Sequence, residues 1–213
     1  MSHALIVSNG VINDYSFYIP KLSQFDYIIC ADGAIKHLIN MDICPNLWIG
    51  DFDSCSFSDV ISDKSYLKDV ETLKLNPVKD ATDTEVACDI AIQKGYKDIT
   101  IWGALGGRCD HMLSNIHLLE KLIDEGVSAT IEDEKNTLTL CKDYIEITKS
   151  RKYLSVIPLD KSIYISKTYG LLYPMENYEL FRLVSKGVSN EIIDKKAQIY
   201  IKSGTALIVQ SDD

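Results

Sequence analysis

Leu47-Trp48-Ile49-Gly50-Asp51-Phe52-Asp53-Ser54 sets an apolar run directly against two carboxylates two positions apart. A short apolar run that stops at a glycine reads as a buried strand ending in a turn. In open parallel sheets ligands bind in the crevice outside the carboxyl ends of the strands. Asp51 and Asp53 would then face that crevice. Adjacent carboxylates repel unless a cation lies between them, and hard oxygen ligands suit Mg²⁺, which takes one or two carboxylates together with substrate phosphates. The same two aspartates would also serve as solvated turn residues, because Asp is a favoured turn former. The stretch alone leaves both readings open.

Working outward, Ala4-Leu5-Ile6-Val7 reads as a first strand that turns at Ser8-Asn9-Gly10. Tyr27-Ile28-Ile29-Cys30-Ala31 reads as a second, running into Asp32-Gly33-Ala34 and a short helical face. Asp32 thus repeats the placement of Asp51. A polar helix is expected over Ser56 to Lys68, and a short strand at Thr72-Leu73-Lys74-Leu75 stops at Pro77. Lys79-Asp80-Ala81-Thr82-Asp83-Thr84-Glu85 then leads into a helix whose apolar stripe is Val86, Ala87, Ile90 and Ala91. Thr82 with Glu85 three residues on has the form of a capping box, and acids in a first helical turn favour the macrodipole without any further role.

Asp98-Ile99-Thr100-Ile101-Trp102 is the next strand, and it opens into Gly103-Ala104-Leu105-Gly106-Gly107-Arg108-Cys109-Asp110-His111 before an amphipathic helix that ends near Gly126. Strand, glycine loop and helix start in that order expose backbone N–H groups to an anion, and Arg108 can add a bidentate grip on phosphate. The spacing matches neither the P-loop nor the dinucleotide fingerprint. Asp32, Asp51 with Asp53, Asp80 with Asp83, and Asp110 all fall at strand ends. In a parallel sheet they would converge on one rim, which favours a Mg²⁺-nucleotide site over independent turns.

From Ser128 the periodicity changes to short alternating segments, the pattern of an all-β sandwich. The expected architecture is α/β: an N-terminal, mostly parallel α/β domain over residues 1–127 and a C-terminal β-sandwich over 128–213, with the boundary inside 127–152. Net charge is −9, with 31 acids against 22 bases, which disfavours nucleic acid as a partner because a phosphate backbone requires a basic face. No apolar stretch approaches a membrane span, and the N-terminus reads as a strand, not a signal peptide, so a cytoplasmic protein is expected. The six cysteines form no C-x-x-C pair and read as reduced thiols.

Cys30-Ala31-Asp32-Gly33-Ala34, Gly50-Asp51-Phe52-Asp53-Ser54, Lys79-Asp80-Ala81-Thr82-Asp83 and Gly106-Gly107-Arg108-Cys109-Asp110-His111, in this order and spacing, resemble the thiamine pyrophosphokinase family. In the β-rich part Gly170-Leu171-Leu172-Tyr173-Pro174 and Gly187-Val188-Ser189-Asn190-Glu191 resemble that family's thiamine-facing motifs. The resemblance implies an N-terminal domain that binds Mg-ATP, a C-terminal sandwich, and a homodimer whose thiamine sites lie between the α/β domain of one subunit and the sandwich of the other. It implies transfer of the diphosphoryl group of ATP to the hydroxyl of thiamine, giving thiamine diphosphate and AMP. On that reading Asp51, Asp53, Asp83 and Asp110 hold metal, and Arg108 with the Gly106 and Gly107 amides binds phosphate. Asp32, Gly33, Asp80 and Thr82 complete the nucleotide side, while Ser189 and Asn190 face thiamine. No aromatic residue directly follows Asn190, which leaves Tyr169, Tyr173 and Tyr178 as unranked partners for the thiamine ring. Two alternatives stand beside this: a pyrophosphokinase for another primary alcohol such as a hydroxymethylpterin, and a non-catalytic nucleotide- or thiamine-binding regulator.

Overall fold

The structure is a computed structural model that describes residues 2–52, 67–76 and 80–213. Asp53 and all but the last two residues of the helix expected over Ser56 to Lys68 lie outside them. The chain divides into two compact units, Met1–Glu134 and Lys135–Asp213.

In the first unit the strands β1 (His3–Val7), β2 (Tyr27–Ala31), β3 (Leu47–Gly50), β4 (Glu71–Lys74), β5 (Asp98–Trp102) and β6 (Ser128–Glu132) lie in the order β4-β3-β2-β1-β5-β6. Every pairing is parallel, with Ile6 opposite Ile29 on one side and Ile101 on the other. The chain therefore builds outward from β1 to β4, then returns past β1 to add β5 and β6. Crossovers between parallel strands are right-handed, so reversing direction along the sheet moves the connecting helices to the opposite face. One face carries the helix α1 (Ile35–Asn40), whose Ile35 and Leu38 pack with Leu5, Val7, Trp48 and Trp102. The helices α2 (Asp83–Gln93) and α3 (Cys109–Asp124) follow β4 and β5. They pack against each other, α2 on β1, β2 and β3, and α3 on β6. The buried face of α2 is Ala87, Cys88 and Ala91, small side chains that let the helix lie close to the sheet. Helices on both faces explain why β1 reads as a continuous apolar run from Ala4 to Val7, with no polar alternation.

The strand at Ser128–Glu132 alternates like those that follow it, but it closes a β5-α3-β6 crossover and pairs parallel with β5. It belongs to the first unit, and the division of the chain falls two residues beyond it. The second unit has the antiparallel strands β7 (Asn136–Cys141), β13 (Ala206–Ser211) and β9 (Tyr153–Pro158), with β13 central. A four-stranded antiparallel sheet has the order β11-β10-β12-β8, from Glu176–Phe181, Ser162–Tyr169, Lys196–Ser203 and Tyr144–Thr148. Leu154, Val156 and Ile208 from one sheet and Ile163, Ile165, Ile199 and Ile201 from the other share one core, as two stacked sheets require. Among the described residues no helix is long and apolar enough to cross a membrane.

Candidate nucleotide site in the first unit

The loop leaving β1 turns toward β2, whereas the loop leaving β5 turns toward β6, so the connections diverge between these neighbours and leave a crevice at the topological switch point. A cavity of about 580 Å³ opens there. Its wall takes Ser8, Asn9 and Gly10 from the end of β1, Asp32 from β2, Asp51 from β3, Thr82 and Asp83 from the start of α2, and Gly106, Gly107 and Arg108 after β5.

The two loops at the switch point approach closely. The Gly10 amide donates to Gly103 O at 2.7 Å, and a Cβ on either glycine would collide with backbone, that of Gly10 with Gly103 O and that of Gly103 with Ser8 O. Gly103, Gly106 and Gly107 have φ of 64°, 74° and 68°, a left-handed run that only glycine adopts without steric cost. Asn115, buried on α3, donates its amide to Ala104 O at 2.9 Å and holds the loop from behind. Across the crevice Ser8 Oγ and Thr84 Oγ1 lie 2.8 Å apart, tying the end of β1 to the first turn of α2. Thr82 caps that helix by accepting from the Glu85 amide at 3.2 Å. The Glu85 carboxylate turns instead to Lys121 of α3, which donates to Glu85 and Asp89 at 3.0 Å each and pins the two helices together.

The acidic residues are positioned individually. Asp32 has φ 46°, and its carbonyl accepts from Trp48 Nε1 at 2.9 Å. Gly50 makes room for it, since a Cβ there would lie 2.8 Å from Asp32 Oδ1. Gly33 acts in the same way for Asn9, whose amide nitrogen would be 2.6 Å from a Cβ at 33. Gly33 is therefore explained by packing beneath the wall. Asp32, Asp51 and Asp83 line the cavity; Asp80 is exposed and is not part of the wall. Asp110 is engaged by Arg108, whose Nε and Nη2 donate to its two carboxylate oxygens at 3.1 and 2.6 Å. Those bonds hold the Asp110 carboxyl down at about 2.

His37, on α1, donates from Nε2 to Gly10 O at 2.9 Å, and its Nδ1 lies 3.0 Å from the Tyr15 hydroxyl, which also accepts from Asn40. Burial lowers its pKa from the ordinary value, so the neutral ring is the form that supports the loop. The residues after Gly10 are held from the other end of the unit. Glu134 Oε1 accepts from the Asn13 and Asp14 amides at 2.7 and 2.9 Å.

In the second unit Asn190 is buried, and its side chain is committed to the chain. Oδ1 accepts from the Tyr173 and Glu191 amides at 3.0 and 2.8 Å, and Nδ2 donates to Tyr173 O at 2.8 Å. Asn190 thus fixes the loop that carries Tyr173, a ring 65% exposed. Ser189 has φ 60°, and its amide donates to Ser155 Oγ at 3.0 Å.

Sequence reasoning set Ser8-Asn9-Gly10 at the crevice end of the first strand without giving Ser8 or Asn9 a role, and it passed over Lys36, His111 and Asn115 as parts of this region. Ser8 and Asn9 stand at a predicted strand end, the one signal that could have given them a role. Lys36 and Asn115 are set within helices, where a single polar residue looks like solvated surface.

A parallel α/β sheet with a ligand-sized cavity at its switch point, walled by carboxylates and a glycine loop, is the architecture of the phosphate- and nucleotide-binding α/β proteins. The sequence profile of the thiamin pyrophosphokinase catalytic domain matches residues 20–131, and that of the thiamin pyrophosphokinase vitamin B1 binding domain matches residues 142–208. The chain belongs to the thiamine pyrophosphokinase family. It is 28% identical over 188 residues to a thiamine pyrophosphokinase of Bacillus subtilis, covering 87% of each chain. The crystal structure of thiamine pyrophosphokinase from Bacillus subtilis superposes with a TM-score of 0.87 at 26% identity over all of both chains. Yeast thiamin pyrophosphokinase shares the fold, with a TM-score of 0.79 at 19% identity over 99% of this chain and 86% of that one.

Proposed function

We propose that the protein transfers the β,γ-diphosphoryl group of ATP to the primary hydroxyl of thiamine, giving thiamine diphosphate and AMP. The observation that carries this is a chain matched in one half by the catalytic profile and in the other by the vitamin B1 binding profile, with the switch-point cavity in the first half. The hydroxyl oxygen attacks the β-phosphorus, the bond from that phosphorus to the α-bridging oxygen breaks, and AMP leaves. The hydroxyl proton passes to a carboxylate at the rim. Such transfers depend on positioning and on neutralising charge on the phosphoryl oxygens.

The donor set fits Mg²⁺. Asp51 and Asp83 supply hard oxygens to the cavity, and Mg²⁺ takes one or two carboxylates and fills its remaining positions with water and phosphate. Among the described residues no three acids, histidines or cysteines are grouped so as to hold a metal by themselves, so Asp51, Asp83 and Asp110 form no ready-made cluster. Asp53, outside the described residues, and Asp110 complete the proposed metal set. Held by these carboxylates, Mg²⁺ would offset negative charge on the phosphates. Arg108 and Asp110 form a largely exposed pair, and exposed pairs contribute little to stability. With nucleotide bound, the Arg108 fork would be available to phosphate, and Asp110, released from it, would be available to hold the metal. Gly106 and Gly107 offer amides to the same phosphates, Thr82 shapes the start of α2, and Asp32 and Asp80 are assigned to the nucleotide side. Ser189 and the Asn190-held Tyr173 loop face thiamine.

The assembly is a homodimer, cytoplasmic, with each thiamine site shared between subunits. Tyr144, Tyr169 and Tyr200 on the four-stranded sheet support this: they are partly exposed and touch at 4.7 and 6.1 Å between ring centroids, an aromatic surface of the kind interfaces use. The test is AMP release from ATP with thiamine, with a hydroxymethylpterin and with no acceptor, across a Mg²⁺ titration, alongside sedimentation of the full chain. Release that needs both thiamine and Mg²⁺ is expected. Release without an acceptor, or none under any condition, would overturn the assignment.

A further inference from the structure

The first turn of α1 reads Ile35-Lys36-His37-Leu38, and Ile35, His37 and Leu38 are all buried. Their burial fixes the rotation of the helix and leaves Lys36 as the residue of that turn that faces outward, into the wall of the cavity. The backbone there is not free to swing, because His37 is bonded on both ring nitrogens to Gly10 and Tyr15. Lys36 stands four residues beyond Asp32 and shares the cavity with Asp51 and Asp83. Yet among the described residues no hydrogen bond or ion pair engages its ammonium, although other lysines of the unit, Lys21 and Lys121, are paired. The other cation of the described wall, Arg108, already gives two donors to Asp110.

A nucleoside triphosphate carries several negative charges into a wall with three carboxylates. Without a cation placed to meet its oxygens, that approach is opposed. An unpaired ammonium held on a rigid helix at such a wall has its three donors available to an incoming anion, and a lysine meets phosphate as a point charge without a required fork geometry. We propose that Lys36 binds the polyphosphate of the nucleotide from the α1 side of the cavity. This rests on the reading of the cavity as the ATP site. Lys36 needs no exchange of partners to act, in contrast to Arg108. The contact scales with the number of phosphates and is absent for the nucleoside.

The experiment is calorimetric titration of the full chain with MgATP, MgADP and AMP, comparing wild type with Lys36→Met, Lys36→Gln and Lys36→Arg. Lys97→Met serves as a surface control, since Lys97 is exposed and remote from the wall. Loss of a charge-assisted bond should raise the Kd for MgATP about tenfold or more in the Met and Gln variants. MgADP should lose less and AMP less than about twofold, within the range of an ordinary surface change. Lys36→Arg should keep most of the affinity, and Lys97→Met all of it. Wild-type affinity for MgATP in both neutral variants would overturn the inference, as would an equal loss for AMP, which would place the contact at the nucleoside. Wild-type protein that binds no MgATP would instead sink the nucleotide reading of the cavity itself, and the inference with it.

Discussion

Asp32 and Phe52 occupy the left-handed region, with φ of 46° and 59°, at the ends of two adjacent strands. Non-glycine residues hold such conformations only where their surroundings enforce them, at a cost of about 1–3 kcal/mol each, and they cluster at functional sites. Trp48 supplies part of that enforcement: its indole N–H holds the Asp32 carbonyl, and its ring meets Phe52 edge-on at 5.0 Å. Asp51, the neighbour of Phe52 and part of the cavity wall, is the residue on which metal binding and turn formation give opposite forecasts. Asp51→Asn is nearly isosteric, so folding should change by no more than about 0.5 kcal/mol. Turnover should fall by about 10²–10³-fold, as for loss of one charge-stabilising group worth about 3–4 kcal/mol. Melting temperature without Mg²⁺ and thiamine-dependent AMP release across a Mg²⁺ titration check the two halves; full activity at every Mg²⁺ concentration would remove Asp51 from the mechanism. His37 gives a pH-dependent counterpart. Its native pKa is depressed by burial below the 6.5 that it regains on unfolding, so the unfolded chain binds more protons in that window. Its contribution to stability is full above about pH 6.5 and is lost as pH falls through the native value. The difference in melting temperature between wild type and His37→Gln should therefore be largest above pH 6.5 and shrink on acidification; a constant difference would mean that the ring does not titrate on unfolding.

The strand ends and loops show most clearly what the amino-acid sequence discloses and what it withholds. The strand Tyr27–Ala31 was readable to the residue because its apolar run has sharp polar limits, Asp26 on one side and Asp32 on the other. The strand Glu176–Phe181 was not, since only Leu180 is buried and its charged neighbours look like loop. The strand Ser128–Glu132 was legible as a strand and not as a parallel one, because pairing partners depend on tertiary packing. At the site, the carboxylates and the glycine loop stood out by residue type and Ser8 and Asn9 by their place at a strand end, whereas Lys36, inside a short helix, gained meaning only once the fold set that helix at the wall. The glycine loop yields a graded prediction. Gly103→Ala combines a left-handed φ with a collision against the Ser8 carbonyl, so it should cost more than the roughly 1–2 kcal/mol of left-handed strain alone and should also weaken ATP binding. Gly106→Ala meets only the Val11 side chain at 3.3 Å, and about 1–2 kcal/mol is expected. Equal costs from denaturant unfolding of the two variants would mean that the approach of the β1 and β5 loops is looser in solution.

At the scale of the whole molecule, the two units divide the proposed work. Every residue of the cavity wall lies within Met1–Glu134, and Ser189, Asn190 and Tyr173 lie within Lys135–Asp213. Each unit has its own apolar core, one built around Trp48 and Trp102 and the other around Leu154, Ile165 and Ile199. The first unit is of a size at which a single core supports independent folding, whereas the second is near the length at which small domains need a partner surface. A chain ending at Glu134 should therefore fold and bind MgATP but release no AMP in response to thiamine. Ligand that binds only the folded form stabilises it by about 2.7 kcal/mol at a hundred times its Kd. MgATP should accordingly raise the melting temperature of this fragment, and thiamine should leave it unchanged. In the full chain both ligands should protect. Protection of the fragment by thiamine would move the acceptor site into the first unit and detach Ser189, Asn190 and the Tyr173 loop from thiamine recognition.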